Sequence, residues 1–511
     1  MKKYLAAAVL ACALLTVGVA VAASGKPAKN VVSAATPAIN WGVADDSSKY
    51  ADDGGKWFYG QMKTENLVSN RWTLAWNPSN PTAITELPFI KRAAPIAQAN
   101  GIHVVLSLYA GQNGTSTPDA QDHDATAFCA WAQIVAQTVK QWGISDFIIW
   151  NEPSSTLYWA PQKTDPTQDT TANDVAAPAY ENLLATCYDS LHSLDGGGWT
   201  ANVIGMGLSA KASKNTSNEP LAFLRDVGAA YKSSGRTKPI MDQLALHPYP
   251  LPSTSPSPDK GYSATAAPDS YGPPDLDRVK QAVYDAFNGT GQPTTLNGLT
   301  FRLDEFGWQT KTTSATDFTA TDAAALANYT GTENAGPPGS AAAVDEATQT
   351  TYLAQAVKMF ACDPTVTDVE LFLLVDEATR SGWQSGLLTT GGEGKSLPKA
   401  AFAALAPLFA AGRSACTSGL VTWSPTTSGG SSGSGSGGKG SGGSGGKGSG
   451  GKGSSGGGTG SSGGAKGKTS GTCTKTTKVA AGYVCKITNK KKGTGVVKKK
   501  AKLKKKVVKR H

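Results

Sequence analysis

The sequence predicts an α/β protein, a (β/α)8 TIM barrel, followed by a Gly/Ser-rich linker and a Lys-rich tail. Short apolar runs rich in Val, Ile, Leu and Phe alternate with longer amphipathic stretches, a pattern typical of repeated βα units around a parallel sheet. Eight such runs occur in about 380 residues, which suits a closed barrel with insertions. An open doubly wound sheet is the structural alternative.

The predicted strands are the eight apolar runs. They are Ile39–Val43, Arg71–Ala75, His103–Leu108, Phe147–Trp150, Val203–Leu208, Gln243–Leu246, Thr300–Leu303 and Val369–Leu374. The predicted helices lie between them and after the last. They are Glu86–Gln98, Ala125–Trp142, Ala177–Leu191, Pro220–Ser233, Asp275–Phe287, Glu346–Phe360 and Lys399–Phe409. The first connection, Ser47–Val68, has no clear pattern.

The lengths of the connections indicate which face of the barrel carries the function. Connections from helix to strand are mostly short and Gly-rich, whereas those from strand to helix are long. The long ones are Tyr109–Asp124, Pro153–Val175, Pro248–Pro274, Gly307–Asp345 and Val375–Leu397. Long loops at the carboxyl ends of barrel strands predict a binding or catalytic face there.

The first 22 residues have the pattern of a secretory signal peptide. Met1–Lys3 is basic, Leu5–Val21 is apolar or small, and Ala20–Ala22 provides a small-x-small cleavage pattern. A membrane anchor is the alternative, but the run is short for a bilayer and no later stretch approaches about 20 apolar residues. We therefore expect a secreted or cell-envelope-associated protein without a transmembrane segment once the signal is removed.

The composition divides the rest of the chain into a predicted barrel at 37–424, a linker at 428–464 and a basic tail at 465–511. The linker is nearly all Gly and Ser and cannot bury a core. From residue 428 onward there are 20 Lys and Arg and no Asp or Glu, so the preceding part has 28 basic against 38 acidic residues. The acidic body does not indicate specific nucleic-acid binding. The tail is either a solvated extension or an electrostatic tether to an anionic cell envelope or acidic polysaccharide.

The cysteines match no metal-site spacing. Cys12 leaves with the signal, and Cys473 and Cys485 lie alone beyond the linker, so they can form a local loop with each other. The four in the body allow three pairings or free thiols. We expect Cys129 with Cys187, on neighbouring helices, and Cys362 with Cys416.

Two carboxylates follow predicted strands at the expected functional face. The fourth strand runs into Asn151 and Glu152, and the seventh into Asp304 and Glu305. Because side chains alternate along a strand, Asp304 and Glu305 should face opposite ways, with one of them in the barrel mouth. Two carboxylates that flank one bond can catalyse glycoside hydrolysis, whereas a lone Glu at a strand end is more often a solvated residue or a helix cap.

The strings Trp150-Asn151-Glu152-Pro153 and Asp304-Glu305-Phe306-Gly307 resemble the motifs of glycoside hydrolase clan A, the retaining barrel enzymes that include families 5 and 39. The resemblance covers about 39–409. It implies that Glu152 is the acid/base, that Glu305 is the nucleophile and that Asn151 contacts the sugar 2-hydroxyl.

The same resemblance implies further substrate-binding residues. Arg71 resembles the arginine near the nucleophile, and His247 and Tyr249 resemble the His-x-Tyr pair that lines the site; a core imidazole is the alternative for His247. Aromatic candidates for sugar stacking, each equally open to ordinary packing, are Trp76, Trp150, Trp308 and Trp383.

The chain departs from the family 5 pattern at two strands. The third ends in Ser107-Leu108-Tyr109 instead of a histidine, so we include Tyr109 among the substrate-binding candidates. The eighth lacks the usual tryptophan, and Trp383 follows in the loop. Family 39-like enzymes are the nearer match.

Other functions remain compatible with a barrel. A lectin-like carbohydrate-binding barrel would not need both glutamates, and a transglycosylase would use the same residues as a hydrolase. A metal-dependent hydrolase would need clustered His ligands at strand ends, which the sequence lacks. We expect a retaining glycosidase that acts on a carbohydrate substrate without a cofactor or metal.

Overall fold

The computed structural model describes residues 36–110, 123–165, 170–212, 216–251, 257–310, 343–378 and 382–426, together with the backbone of 472–474, 483–489 and 494–499. The predicted signal peptide and linker lie outside these residues. The chain separates into two compact units, Met1–Gly429 and Gly430–His511.

The first unit contains eight parallel strands that close into a barrel, as the sequence predicted. Closure is complete because β1 pairs with both β2 and β8. The strands are β1 (Asn40–Ala44), β2 (Ser69–Trp76), β3 (His103–Ala110), β4 (Asp146–Ile149), β5 (Asn202–Leu208), β6 (Gln243–Leu246), β7 (Thr300–Phe306) and β8 (Val366–Leu371).

Helices connect the strands and cover the barrel. They are α1 (Ser47–Tyr50), α2 (Lys56–Thr64), α3 (Leu87–Ala99), α4 (Ala125–Val139), α5 (Ala176–His192), α6 (Pro220–Ser234), α7 (Leu276–Phe287), α8 (Glu346–Cys362) and α9 (Ala400–Ala411). Two begin at an aspartate whose carboxylate accepts a hydrogen bond from a backbone N–H of the first turn, Asp124 at α4 and Asp345 at α8. The first βα connection, which the sequence left undefined, contains α1 and α2.

The eighth strand lies three residues earlier than predicted. Leu374 is apolar and buried, which made it look like part of the strand, but its backbone N–H does not join the barrel ladder. The N–H groups of Leu374 and Val375 instead donate to Oδ2 of Asp45, at 3.1 and 3.0 Å. A buried side chain from the first βα loop therefore ends the eighth strand.

The barrel interior has an apolar layer, with one ionic cluster near the amino ends of the strands and another near their carboxyl ends. The apolar layer consists of Val105, Ile148, Ile204 and Ala245. Near the amino ends of the strands, Arg302 contacts Asp146 at 2.9 Å, Asp368 at 3.2 Å and also Glu370. We call these four residues the amino-end cluster.

Two disulfide bonds tie helices together at the periphery. Cys129 and Cys187 link α4 to α5 with a Cα separation of 4.7 Å, and Cys362 at the end of α8 is bonded to Cys416 with 4.8 Å. Both separations lie within the range that a disulfide requires. These are the two pairings expected from the sequence.

The second unit contains a three-stranded antiparallel sheet that the sequence analysis did not anticipate. Its strands are β9 (Thr472–Thr474), β10 (Tyr483–Asn489) and β11 (Thr494–Lys499), in the order β10-β11-β9. Cys473 lies opposite Gly495 and Cys485 opposite Val497, so the cysteines are on the two strands that flank β11. Their side chains lie outside the description, and their bond stays a prediction.

Across the described part of the chain, none of the helices combines the length and apolar character needed to cross a bilayer.

Candidate active site

The backbone turns sharply where β4 ends and brings Glu152 to the mouth of the barrel. Trp150 and Glu152 both have positive φ angles, 73° and 43°, which are unfavourable for residues with a side chain and tend to occur at functional sites. Hydrogen bonds hold the turn, since Trp150 N–H donates to Leu108 O at 2.8 Å and Glu152 N–H donates to Gly207 O at 2.9 Å. Neighbouring strands β3 and β5 thus stabilise a strained turn that presents a carboxylate.

Asp304 and Glu305 both reach the site, although they are adjacent on β7. The register between β7 and β8 shifts between Leu303 and Phe306, and such irregularities redirect side chains at barrel rims. Asp304 is completely buried, whereas Glu305 is 13% exposed and borders the main cavity. The strict alternation assumed from the sequence does not describe this strand end, because both carboxylates contact Arg71.

Each oxygen of Glu305 has its own donor. Arg71 Nη1 lies 2.7 Å from Oε1, and the hydroxyl of Tyr249 donates to Oε2 at 2.9 Å. Burial would lower the pKa of Arg71, but the charges of Glu305 and Asp304 hold it above its usual value. The guanidinium therefore stays charged while it contacts Glu305.

His247 joins the two glutamates. Its Nδ1 lies 3.0 Å from Oε1 of Glu152 and 3.7 Å from Oε2 of Glu305. The two oxygens can be no further apart than the sum of these distances. That limit applies to one pair of oxygen atoms and is compatible with the carboxyl separation of roughly 5 Å found in retaining glycosidases.

The other ring nitrogen of His247 lies 3.3 Å from Oδ2 of Asp304. The imidazole is completely buried, which opposes its charge, but the carboxylates of Glu305 and Asp304 outweigh burial and raise the pKa of His247 to about 10. Space for the ring depends on Gly207, where a Cβ atom would lie 3.3 Å from Nε2. Both ring nitrogens of His247 therefore face carboxylates, an arrangement that favours the imidazolium form.

Arg71 also orders the remaining polar groups. Its Nη2 donates to Oδ1 of Asn151 at 2.9 Å and to Oγ of Ser107 at 3.0 Å. Because the amide oxygen of Asn151 is used by Arg71, its NH2 group is the part available to a ligand. Ser107, which stands where family 5 enzymes usually have a histidine, supports the arginine.

The carboxylates lie in a cavity of about 1940 Å³ with aromatic walls. The ring of Trp383 stacks on Tyr249 with a centroid distance of 5.3 Å and an interplanar angle of 25°, and Tyr109 meets Tyr158 edge to face at 5.9 Å. Burial is the main cause that raises the pKa of Tyr109 to about 12, so its hydroxyl remains protonated. The eighth-strand loop thus supplies the aromatic side chain that the strand itself lacks.

Three of the predicted aromatic residues are in the core instead. Trp76, Trp150 and Trp308 are at most 3% exposed and are not among the described residues that line the cavity. Trp76 packs against Phe128, and Trp308 against Phe306. Stacking of a sugar on these rings would require them to leave the core.

Ser107 and Tyr158 were not among the site residues predicted from the sequence, and Asp304 had no predicted role. The sequence contains no clear signal for Asp304, because strict alternation would have placed either Asp304 or Glu305 at the site, but not both. Tyr158 lies in a long loop, where no periodicity reveals the direction of a side chain. In the described ranges, no group of three or more His, Cys, Asp and Glu side chains is placed to hold a metal ion.

No family model matches the chain, and no curated protein matches its sequence. Solved structures similar to it include a family 39 glycoside hydrolase from Bacteroides cellulosilyticus WH2, with 16% identity over 73% of this chain and a TM-score of 0.48. The match spans 64% of that enzyme, less than two thirds of its length.

Two further similar structures are a family 39 β-xylosidase from Caulobacter crescentus and a family 1 β-glucosidase from Thermotoga maritima. The first has 13% identity, a TM-score of 0.44, and coverage of 74% of this chain and 71% of its own. The second has 11% identity, a TM-score of 0.45, and coverage of 73% and 97%. Structural similarity at this level carries no information about the activity of this chain. A proposal for that activity has to be based on the site itself.

Proposed function

We propose that this protein is a retaining glycoside hydrolase that cleaves O-glycosidic bonds of an oligo- or polysaccharide by double displacement. The observation that carries the proposal is the pair Glu152 and Glu305, which approach the same nitrogen of His247 from the ends of β4 and β7. Both are partly exposed, at 16% and 13%, in a large cavity.

The different surroundings of the two glutamates support different roles. Glu305 receives hydrogen bonds on both oxygens, from Arg71 and Tyr249, and these hold its carboxyl group in place as a nucleophile requires. Glu152 accepts a hydrogen bond from His247 at Oε1, and its Oε2 has no hydrogen-bond partner among the described residues. Oε2 is thus the atom that can carry a proton to a substrate.

These two roles define the proposed reaction. Glu305 attacks the anomeric carbon while Glu152 protonates the leaving oxygen, which produces a glycosyl ester of Glu305. Glu152, now ionised, takes a proton from water as the water attacks the same carbon, and Glu305 leaves as a carboxylate. Each displacement inverts the anomeric centre, so the product retains the configuration of the substrate.

The size of the cavity supports a substrate of several sugar units. Its volume of about 1940 Å³ exceeds the range of roughly 300–1000 Å³ that is usual for small-molecule pockets. The exposed face of the Trp383 and Tyr249 stack offers a platform for a sugar ring, and the NH2 group of Asn151 can donate to a sugar hydroxyl.

Hydrolysis of a panel of aryl β-glycosides and of plant and bacterial polysaccharides tests the proposal. We expect turnover of at least one member, and proton NMR of the first product should show the retained anomer. Chromatography of the products separates hydrolysis from transfer to a second sugar. A first product of inverted configuration would contradict the double displacement.

Paired variants link the activity to the site. Glu305→Gln should reduce turnover by at least about 10⁴-fold, since the nucleophile is lost. Glu393→Gln is the matched control, because Glu393 is an exposed glutamate on the rim of the same cavity. Equal activity of the two variants would show that Glu305 is not the nucleophile.

We also propose that the protein is exported and that its basic tail binds an anionic cell envelope. The two disulfides are compatible with an oxidising compartment. Seventeen Lys and Arg occur from Lys466 onward. A segment with many positive charges binds polyanions in a salt-dependent manner, because the screening length falls from about 10 Å at 0.1 M to about 3 Å at 1 M salt.

Co-sedimentation with purified envelope tests the tail. The full-length protein should sediment at low salt and be released at high salt. Two variants separate the possible causes. One ends at Thr427 and tests the whole tail; the other is full-length, has Gln in place of Lys504, Lys505 and Lys506, and tests the effect of charge. Sedimentation of all three proteins to the same extent would leave the tail as a solvated extension.

A further inference from the structure

Asp304 lies behind both cations of the site. Its Oδ2 is 3.2 Å from Nε of Arg71 and 3.3 Å from Nε2 of His247. Arg71 in turn contacts Glu305 at 2.7 Å, and His247 contacts Glu152 at 3.0 Å. One carboxylate therefore touches the two residues that hold the two candidate catalytic glutamates.

These contacts matter because the side chains that make them are buried. The side chains of Asp304 and His247 are completely buried, and that of Arg71 is 4% exposed. Water cannot replace a lost partner in such a place, so the charge of each group depends on its neighbours. Burial alone would raise the pKa of Asp304. The interactions with His247, and to a smaller extent with Arg71, outweigh burial and hold the pKa below its usual value.

The charges of the group balance in one protonation state. Arg71 and His247 contribute two positive charges, and Asp304 and Glu305 contribute two negative ones. The group is neutral when Glu152 is protonated, which is the state that the first displacement needs under the proposed function. Removal of the charge of Asp304 leaves an excess positive charge, which the release of the proton of His247 relieves.

We infer that Asp304 is a positioning residue for glycoside cleavage: through its contacts with Arg71 and His247 it keeps His247 an imidazolium whose Nδ1–H faces Glu152 and Glu305. This role rests on the proposed function of the two glutamates. Among the described residues, the charged or titratable groups that face His247 include Glu152 from the end of β4 and both Asp304 and Glu305 from β7. They also include Tyr249, whose ring meets the imidazole edge to face at 6.4 Å, and Tyr271, whose hydroxyl oxygen lies 3.2 Å from the backbone nitrogen of His247.

The protonation of His247 can be measured directly in the wild-type protein. The chain has five histidines, and ¹⁵N NMR of the histidine-labelled full-length chain distinguishes imidazolium from imidazole, with His247→Asn to assign the resonance. We expect His247 to keep both protons between about pH 6 and about pH 9, because carboxylates face both nitrogens. A neutral His247 at pH 7 would overturn the inference.

The variant Asp304→Asn tests the role in turnover. It retains the shape of the side chain and removes the charge. We expect His247 to lose its proton below neutral pH, kcat to fall about 10- to 100-fold with little change in KM, and the pH optimum to move to lower pH. A folded variant with the wild-type optimum and wild-type titration of His247 would contradict the proposal.

Asp368→Asn is the matched control. Asp368 is a buried carboxylate that pairs with Arg302 at 3.2 Å in the amino-end cluster, so the same substitution there reports the general cost of removing a buried charge. It should leave the titration of His247 and the pH optimum unchanged. If Asp304→Asn does not fold, a neutral His247 at pH 7 in the titration of the wild-type protein would still overturn the inference. That titration needs no substrate, so it stands apart from any failure to find a glycoside that the protein cleaves.

Discussion

The two ends of the barrel interior contain the same kinds of residue in different surroundings. At the carboxyl end, Arg71 contacts Asp304 and Glu305; at the amino end, Arg302 contacts Asp146, Asp368 and Glu370. Both arginines are at least 95% buried. An arginine among carboxylates is therefore not by itself evidence of an active site in this fold.

Access to a cavity distinguishes the two clusters. Glu152 and Glu305 are partly exposed and border about 1940 Å³ of open space, whereas the side chains of Asp146, Asp368 and Glu370 are at most 10% exposed. Burial raises the pKa of Glu370, in the amino-end cluster, to about 7, because the cost of burying its charge outweighs the effect of the nearby Arg302. Under the proposed function, this difference predicts a structural role for the amino-end cluster and chemistry at the carboxyl end.

The largest expected effect separates the two glutamates of the carboxyl end from each other. Glu152→Ala should lose at least about 10³-fold in kcat on glycosides whose leaving group needs protonation and should retain the first step on aryl glycosides with good leaving groups. Glu305→Gln should be inactive on both. Burst kinetics with a series of aryl glycosides measure this difference. An equal loss of activity by both variants on the substrates with the best leaving groups would show that the assignment of roles to the two glutamates is wrong.

The same substitution at both arginines compares the two ends directly. Arg71→Lys should lower kcat/KM about 100-fold, because one ammonium group cannot bind Glu305, Asn151 and Ser107 together. Arg302→Lys should lower the free energy of unfolding by about 3 kcal/mol, because it leaves buried carboxylates poorly paired. It should leave kcat per folded molecule unchanged.

Steady-state kinetics and urea unfolding of both variants provide the measurements. A fall in kcat for Arg302→Lys equal to that for Arg71→Lys, without a loss of stability, would break the distinction between the two ends.

Two tryptophans that the sequence grouped together should behave differently. Trp383→Ala should raise KM about tenfold, since the ring borders the cavity and can stack on a sugar. Trp308→Ala should leave KM unchanged and destabilise the fold by about 3–5 kcal/mol, because the ring is 1% exposed. Calorimetry and KM on the same substrate test both, and a higher KM for folded Trp308→Ala would place that residue in the site.

The smallest expected effect concerns a cluster on the protein surface. His192 lies 2.7 Å from Asp195 and 3.0 Å from Asp242. The hydrogen bond to Asp242, against partial burial, raises the pKa of His192 to about 9. Because the folded pKa lies above the unfolded value of about 6.5, this stabilisation is complete below about pH 6.5 and is lost as the pH rises through about 9.

Solvent screening limits that contribution to about 1 kcal/mol, since all three side chains are 22–32% exposed. Urea unfolding of wild type and His192→Gln at about pH 6 and about pH 10 should show a difference that is present at the lower pH and absent at the higher one. A difference independent of pH would indicate that packing, not charge, accounts for the effect.

The positions of the barrel strands and of the two glutamates could be predicted because they depend on local pattern. Each predicted strand overlaps an observed one, since buried parallel strands are short apolar runs and every such run here forms a strand. Glu152 and Glu305 follow two of those runs, and parallel strands in a barrel present their carboxyl ends on one face.

The tertiary structure decided what an individual side chain contacts. The register shift at the end of β7 brings Asp304 as well as Glu305 to Arg71, the loop after β8 returns Trp383 to Tyr249, and Asp45 ends β8 by binding the N–H groups of Leu374 and Val375. Each of these contacts joins residues from different strands or loops. A period of two or 3.6 residues describes one element at a time and contains no information about contacts between elements, so only the folded chain determines them.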